Sequence, residues 1–332
     1  NLLLQVNDNE LSMTGTDLEV ELVATVDGID VEQPGQVTVP ARKLADIWRS
    51  LPDGKDVTLE TKEDRAIVRC GRSRFTLTTL PVKDFPSLDG SASDLELKLP
   101  QVALMKLIDQ VGFSMAQQDV RYFLNGMLLE VTPDHVRTVA TDGHRLAMCT
   151  QPGGGSDQRV QAIVPRKGVI ELRKLLSDSD EDVTIHLSGN HLRITQSEYS
   201  LTTKLVDGKF PDYEKVVPKD SNRAVIGDRE TLRQSFQRAS ILSNEKYRGV
   251  RLLLSKGLLT LSSTTTTTTM SPSSFSSLSE MNSTEKKRVK KDIANVQTMA
   301  IKAHVCLGDL KEALLLSERT FMEIPSVNTG VV

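Results

Sequence analysis

Short runs of alternating apolar and polar residues dominate the chain, and helical periodicity interrupts them at regular intervals. Val57–Glu60, Ala66–Arg69, Phe75–Thr79, Val183–Leu187, Leu192–Gln196 and Leu201–Leu205 alternate with a period of two and are separated by polar turns. This is the pattern of antiparallel strands with one wet face. Four other strands each run straight into an amphipathic helix. They are Val37-Thr-Val-Pro40 into Ala41–Leu51, Leu97-Lys-Leu-Pro100 into Gln101–Val111, Ala162-Ile-Val-Pro165 into Arg166–Leu176, and Ala224-Val-Ile-Gly227 into Asp228–Ile241. Proline suits the start of a helix because its missing N–H had no partner there. Counted between positions 40, 100, 165 and 227, the junctions recur every 60, 65 and 62 residues, so a half-unit of about 62 residues repeats.

A full unit of about 125 residues is clearer still. Leu3-Leu4-Gln5-Val6 with Thr16-Asp17 matches Leu128-Leu129-Glu130-Val131 with Thr141-Asp142 at an offset of 125. Phe75–Thr79 matches Tyr199–Thr203 at an offset of 124, and Phe85-Pro86 matches Phe210-Pro211. A third copy begins at Gly249-Val250-Arg251-Leu252. Each unit reads as a sheet with two helices on one face, so the fold class is α+β. Aromatic residues are only 4% of the chain, which leaves Leu, Val and Ile to build the cores.

The repeat stops near Ser263. Thr264–Thr269 is a homopolymer, a Ser-rich stretch and a lysine-rich run follow, and 264–292 reads as a low-complexity linker. Helical periodicity returns from Ile293 to Met322 and predicts a helical tail over 293–332. The expected organisation is a first unit over 1–90 whose N-terminal part lies upstream of Asn1, a complete second unit over 94–212, and the start of a third over 214–263.

Composition narrows the function classes. Hydrophobic residues are 38% and charged residues 26%, ordinary for a globular protein. No apolar run approaches the ~18 residues of a membrane span, so no membrane association is expected. Cys70, Cys149 and Cys306 are far apart, which argues against a disulfide framework or structural zinc and suits a reducing cytoplasm. There is no P-loop, no HExxH, no GxSxG, and no metal-ligand spacing among the five histidines. No catalytic residue, metal or cofactor is therefore expected. Net charge is -3, yet Arg42, Lys43, Arg49, Lys106, Arg166, Lys167, Arg173, Lys174, Arg229, Arg233 and Arg238 fall on the helices. They form either a basic lining that holds phosphates without reading bases, or ordinary solvated faces.

Taken in order, Thr14-Gly-Thr-Asp17-Leu18, Val39-Pro-Ala-Arg-Lys43, Gly71-Arg-Ser-Arg-Phe75, Asp119-Val-Arg-Tyr122, Ala140-Thr-Asp-Gly-His-Arg-Leu146, Val164-Pro-Arg-Lys-Gly168, Phe210-Pro-Asp-Tyr213 and Ile241-Leu-Ser-Asn-Glu-Lys246 resemble the bacterial sliding clamp family, the beta subunit of DNA polymerase III. The resemblance runs from Asn1 to about Ser263. It implies a head-to-tail homodimeric ring of tandem clamp domains, sheets outside and two helices per domain lining a channel for duplex DNA. It also implies tethering of the replicative polymerase, the clamp loader and repair proteins through a short hydrophobic motif.

Three sites follow from the resemblance. The partner-peptide groove maps to Leu124, Thr141, Gly143, His144, Arg145, Leu146, Pro211, Lys215 and Val216. Asp142-Gly143 is equally a hairpin turn. Thr-Asp recurs in the first copy, whereas Gly143-His144-Arg145 has no counterpart in Leu18-Glu19-Val20, which singles out the latter three as copy-specific. The DNA contacts map to Gln118, Tyr122, Phe123 and Lys167, with core packing as the other reading of Tyr122-Phe123. The subunit interface maps to Phe75 and Leu77 on one side and Ile241 and Leu242 on the other, with Phe75 and Leu77 equally readable as core. Two further readings stand beside a DNA-encircling processivity factor: a truncated or chimeric clamp unable to close a ring, and a nucleotidyltransferase-class enzyme with dispersed acids.

Overall fold

The computed structural model of the protein describes residues 1–88, 95–217, 224–241, 249–255, 258–263, 267–270, 275–277 and 319–323. Leu242, among the expected interface residues, lies outside them, as does most of the expected linker and tail.

The first copy opens with three antiparallel strands, β1 (Leu2–Asn7), β2 (Glu10–Thr16) and β3 (Val20–Asp27). Strand β4 (Gly35–Val39) pairs with β1 and leads into α1 (Ala41–Ser50). A second small sheet follows: β5 (Val57–Lys62), β6 (Arg65–Cys70) and β7 (Ser73–Thr78). The second copy repeats this plan. Strand β8 (Leu95–Pro100) leads into α2 (Gln101–Asp109). Strands β9 (Gly126–Val131), β10 (His135–Thr141), β11 (Leu146–Pro152) and β12 (Val160–Pro165) form a sheet ordered β11-β10-β9-β12, and α3 (Arg166–Leu175) follows. Then come β13 (Asp182–Leu187), β14 (His191–Thr195) and β15 (Tyr199–Lys204). The third copy supplies β16 (Ala224–Asp228), α4 (Arg229–Ser240), β17 (Arg251–Ser255) and β18 (Leu258–Ser262). All four helices fall where the strand-to-helix junctions predict them.

Pro40, Pro100 and Pro165 sit at the N-cap, with φ of -65°, -57° and -63°, and none offers a side-chain cap. At the fourth junction Asp228 takes that place and its carboxylate accepts the Thr231 N–H at 2.8 Å. Asp228 therefore caps the helix rather than opening it.

Compactness divides the chain out of step with the repeats. One unit is Asn1–Leu99 together with Glu181–Leu205, and the other is Pro100–Asp180 with Val206–Val332. The reason is one strand pairing. Strand β15 lies antiparallel to β3, with Leu201 opposite Leu22, which extends the first sheet to eight strands in the order β4-β1-β2-β3-β15-β14-β13-β8. In the first unit Leu4, Val37, Val39, Leu44, Ala66, Val68 and Leu77 form a core that joins strands to α1. In the second unit α2 buries Leu104, Leu107 and Ile108, and the buried Thr138 hydroxyl of β10 donates to the Leu107 carbonyl at 2.7 Å.

Beyond Ser263 the described pieces differ from expectation. Thr267–Met270, expected as linker, forms β19 and pairs with β18. Threonine is β-branched, so a threonine run is competent as a strand. Phe275–Ser277 forms β20, and Arg319–Glu323, where a helical tail was expected, forms β21; both pair with β16.

Candidate functional site

The turn between β10 and β11 is built by Thr141 and Asp142. The Thr141 hydroxyl donates to the Arg145 carbonyl at 2.6 Å and accepts the Gly143 N–H at 3.0 Å. One Asp142 oxygen accepts the N–H groups of His144 and Arg145 at 2.9 and 3.0 Å. The first copy does the same thing with the same atoms. Thr16 bonds the Val20 carbonyl and the Leu18 N–H, and Asp17 accepts from Glu19 and Val20, all between 3.0 and 3.1 Å. Gly143 has φ +88° and Leu18 has φ +76°. The left-handed backbone at Gly143 thus has a counterpart after all and belongs to the scaffold. What is specific to the second copy narrows to the side chains of His144, Arg145 and Leu146.

A Cβ added at Gly143 would lie 3.2 Å from both Arg121 guanidinium nitrogens. Gly143→Ala is therefore expected to cost about 1 kcal/mol, through left-handed strain and displacement of that guanidinium. Equilibrium unfolding checks this, and an unchanged midpoint would show that the turn relaxes freely.

Leu146 replaces Glu21 of the first copy. Glu21 is buried and accepts the Leu88 N–H at 3.0 Å, which closes that position with a polar contact. Leu146 instead joins Leu128, Val139, Ile163, Phe210 and Tyr213 in an apolar cluster, with Phe123, Met148, Val206 and Val217 packed against it. This packs the turn, through Leu146, against the segment that bears Phe210 and Tyr213. Thr141 and Leu146 come from the turn; Pro211, Lys215 and Val216 come from the segment that Phe210 and Tyr213 pin down. Leu124 is 1% exposed and is floor rather than wall. Val216 is 48% exposed at the rim, and Lys215 bonds Asp212 at 2.9 Å. An open cleft of about 610 Å³ runs on from the turn past His144, Arg145, Phe113, Met115 and Gln118. The Arg145 guanidinium stacks 5.5 Å from the Phe113 ring and donates to Asp142 at 3.0 Å.

Sequence reading missed the polar support of this segment. Glu130 on β9 is 1% exposed. Its carboxylate accepts the Tyr213 hydroxyl at 2.8 Å, Arg159 Nε at 2.7 Å and Gln161 Nε2 at 2.7 Å. His135 Nε2 lies 3.4 Å away and Arg137 Nη1 3.6 Å away; Arg137 also donates to the Tyr213 oxygen at 3.1 Å. A second Arg159 contact reaches Glu214 at 3.1 Å. Burial alone would raise the Glu130 carboxyl, but the hydrogen bonds from Tyr213, Arg159 and Gln161 outweigh it and leave it below the usual carboxylate range. Setting Glu130 beside Gln5, its partner in the first copy, is the one signal in the sequence that marks the site.

The expected DNA contacts divide. Gln118 stands at φ +55° on an exposed loop, Tyr122 is 74% exposed, and Lys167 is exposed at the start of α3. Phe123 packs on the Leu146 cluster, so core packing describes Phe123 and not Tyr122. Hydrogen bonds from the Arg121 side chain and N–H to Asp119 hold that carboxyl at about 2 and shape the loop. The basic helix faces are also mixed. Arg49, Arg173, Lys174 and Arg233 are paired with Asp46, Asp109, Glu171 and Glu230, while Arg42 and Lys43 are exposed on α1. Of the expected interface residues, Leu77 is buried in the first core with Phe75 packed against it, and Ile241 is 74% exposed after α4. No helix among the described residues is long and apolar enough to cross a membrane.

Comparison with known proteins gives three consecutive family matches. The DNA polymerase III beta subunit N-terminal domain matches residues 1–89, the central domain 98–212 and the C-terminal domain 214–271. A beta sliding clamp of Pseudomonas aeruginosa is 54% identical over 262 residues, 79% of this chain and 71% of the relative. That of Escherichia coli K12 is 51% identical over 261 residues, again 79% and 71%. Among solved structures, a sliding clamp of Pseudomonas aeruginosa bound to griselimycin is similar with TM-score 0.84 and 44% identity, covering 97% of this chain and 83% of that one.

Proposed function

The chain belongs to the family of the DNA polymerase III beta subunit, the DNA sliding clamps, and from that premise we propose where it holds its partners. A sliding clamp is a processivity factor built of tandem α+β clamp domains, non-catalytic in itself, that binds DNA and polymerase partners. The partner groove is the apolar cluster around Leu146, walled by His144 and Arg145 on one side and by Pro211, Lys215 and Val216 on the other. It takes a short hydrophobic peptide of the replicative polymerase, the clamp loader or repair proteins. The observation that carries this reading is the contrast between copies. One turn is built twice with the same hydrogen bonds, yet only the second copy follows it with an apolar Leu146 in place of a satisfied Glu21. An apolar cluster whose flanking segments expose His144 and Val216 is a base on which a peptide-recognition groove can be built.

The Val216→Asp variant tests it, because Val216 is exposed and its replacement leaves the core alone. The Kd for a fluorescein-labelled hexapeptide bearing two leucines and a C-terminal phenylalanine should rise at least roughly tenfold, equivalent to about 1.4 kcal/mol. Griselimycin, held by the Pseudomonas relative, is the second probe and should weaken in parallel. Unchanged affinity for both would overturn the groove.

Gln118, Tyr122 and Lys167 are the proposed contacts to duplex DNA, made to phosphate and sugar without base reading. The edge of strand β7, anchored to its own core by Phe75 and Leu77, facing the Ile241-Leu242 end of a second copy, is the proposed homodimer interface. Among the described residues β7 ends its sheet, whereas β15, the same strand one copy later, uses its edge to pair with β3. A cytoplasmic site of action accords with this role.

A further inference from the structure

We infer that Glu130, acting through the Tyr213 hydroxyl and through Arg159, is the positioning residue that fixes the Pro211–Val216 wall of the groove. The inference rests on the groove reading above. Tyr213 is 3% exposed, and its ring fills the cluster under Leu146 while its hydroxyl reaches Glu130. The next residue, Glu214, holds the other contact of Arg159. The segment is thus tied at two successive residues, immediately before Lys215 and Val216, to one buried carboxylate on β9. A buried carboxylate with every partner in place admits few alternative geometries, so it fixes the segment in one position.

The comparison between copies shows that this way of holding the segment is particular to the second. At the offset of 125, Glu130 corresponds to Gln5, Tyr213 to Leu88, Arg159 to Pro34, Arg137 to Ser12 and Gln161 to Gln36. Only Gln161 and Gln36 are alike. In the first copy Gln5 donates to Gln36 at 3.3 Å in an exposed pair, and Leu88 is held by its backbone N–H to Glu21. The first copy therefore holds its covering segment through a different carboxylate, Glu21 on β3, and through a backbone N–H rather than a tyrosine hydroxyl. The network of Glu130, Tyr213, Arg159 and Arg137 accompanies the apolar Leu146 cluster and occurs in the copy that bears it. Tight positioning of a wall raises affinity by removing the ordering cost at binding.

The test uses the full chain with Tyr213→Phe, which deletes the hydroxyl and keeps the ring, and Glu130→Gln, which keeps the shape and removes the charge. Gln5→Ala is the control, and binding is measured well below each melting temperature with the same labelled hexapeptide. The expected result is a roughly fivefold rise in Kd for both latch variants, the size of one hydrogen bond's net worth. It should appear mainly in faster dissociation. The amides of Lys215, Val216 and Val217, which bond Asp212 and Tyr213 carbonyls, should exchange faster while those of α2 and α3 keep their protection. A role in stability alone would lower the melting temperature and leave the Kd of the folded protein unchanged. That result, with Val216→Asp still weakening binding, overturns the inference. An unchanged Kd in Val216→Asp overturns the groove reading instead, and the positioning role falls with it.

Discussion

Replacing Leu107 by alanine is expected to destabilise the second unit by about 3 kcal/mol. Leu107 is 0% exposed in the last turn of α2, between Leu104 at 3% and Ile108 at 3%. A helix of this length has little stability of its own and is held by the apolar stripe it buries. Truncation there removes the transfer energy of the lost carbons and leaves a cavity that the sheet beneath cannot close, since protein interiors are packed to crystal density. The loss should travel to β10, whose Thr138 hydroxyl bonds the Leu107 carbonyl, and β10 carries Thr141 of the turn. The repeat supplies a control. Ile47 stands at the matching place on α1 and is only half-buried, so Ile47→Ala should cost roughly half as much. Urea unfolding followed by amide exchange in each unit reads both. Equal losses at the two positions would mean that burial does not govern helix docking here.

The second large effect is expected at Glu130. Glu130→Ala removes the acceptor for Tyr213, Arg159 and Gln161 at once and should cost about 3 kcal/mol, the usual penalty for breaking a buried pair from one side. The equivalent Gln5→Ala, in an exposed pair, should change stability by less than about 0.5 kcal/mol. The pH dependence has a definite sign. The folded carboxyl lies below the ordinary value of 4.5, so its contribution is complete above that value and is lost as pH falls through the folded pKa. The groups facing it are Arg159, Arg137, His135 and Tyr213. The melting temperature of the natural chain should therefore fall steeply below about pH 4.5, and Glu130→Gln should flatten that limb while starting lower. Parallel acid limbs in the two proteins would show that Glu130 contributes nothing there.

Much of this architecture is legible in the order of residues because the chain states it more than once. The four strand-to-helix junctions, the alternating strands and the Thr-Asp turn all recur, and recurrence separates signal from accident. Gly143-His144-Arg145 stand out in the sequence for the same reason, inside an otherwise shared Thr-Asp turn. The shared backbone conformation was not legible: glycine at 143 has no glycine counterpart, yet Leu18 adopts the same left-handed conformation. The Glu130 network stayed hidden because its partners lie 83, 29 and 31 residues away, and strand alternation alone cannot say which covering segment will place a tyrosine above a given carboxylate. Strand β19 was missed because a threonine run satisfies both a low-complexity and a β-branched description.

The pairing of β15 with β3 bears on how such a protein could be cut or recombined. The piece that folds together, Asn1–Leu99 with Glu181–Leu205, straddles two copies of the duplicated sequence. Residues 1–90 expressed alone would expose β3 as a bare edge where five residue pairs now join it to β15, and naked edges recruit strands from other molecules. Crossover points that respect the fold lie near 100, 180 and 205, inside the duplicated segments. The unit of gene duplication and the unit of cooperative folding are thus offset, so a copy of this sequence cannot be transplanted as a free-standing module.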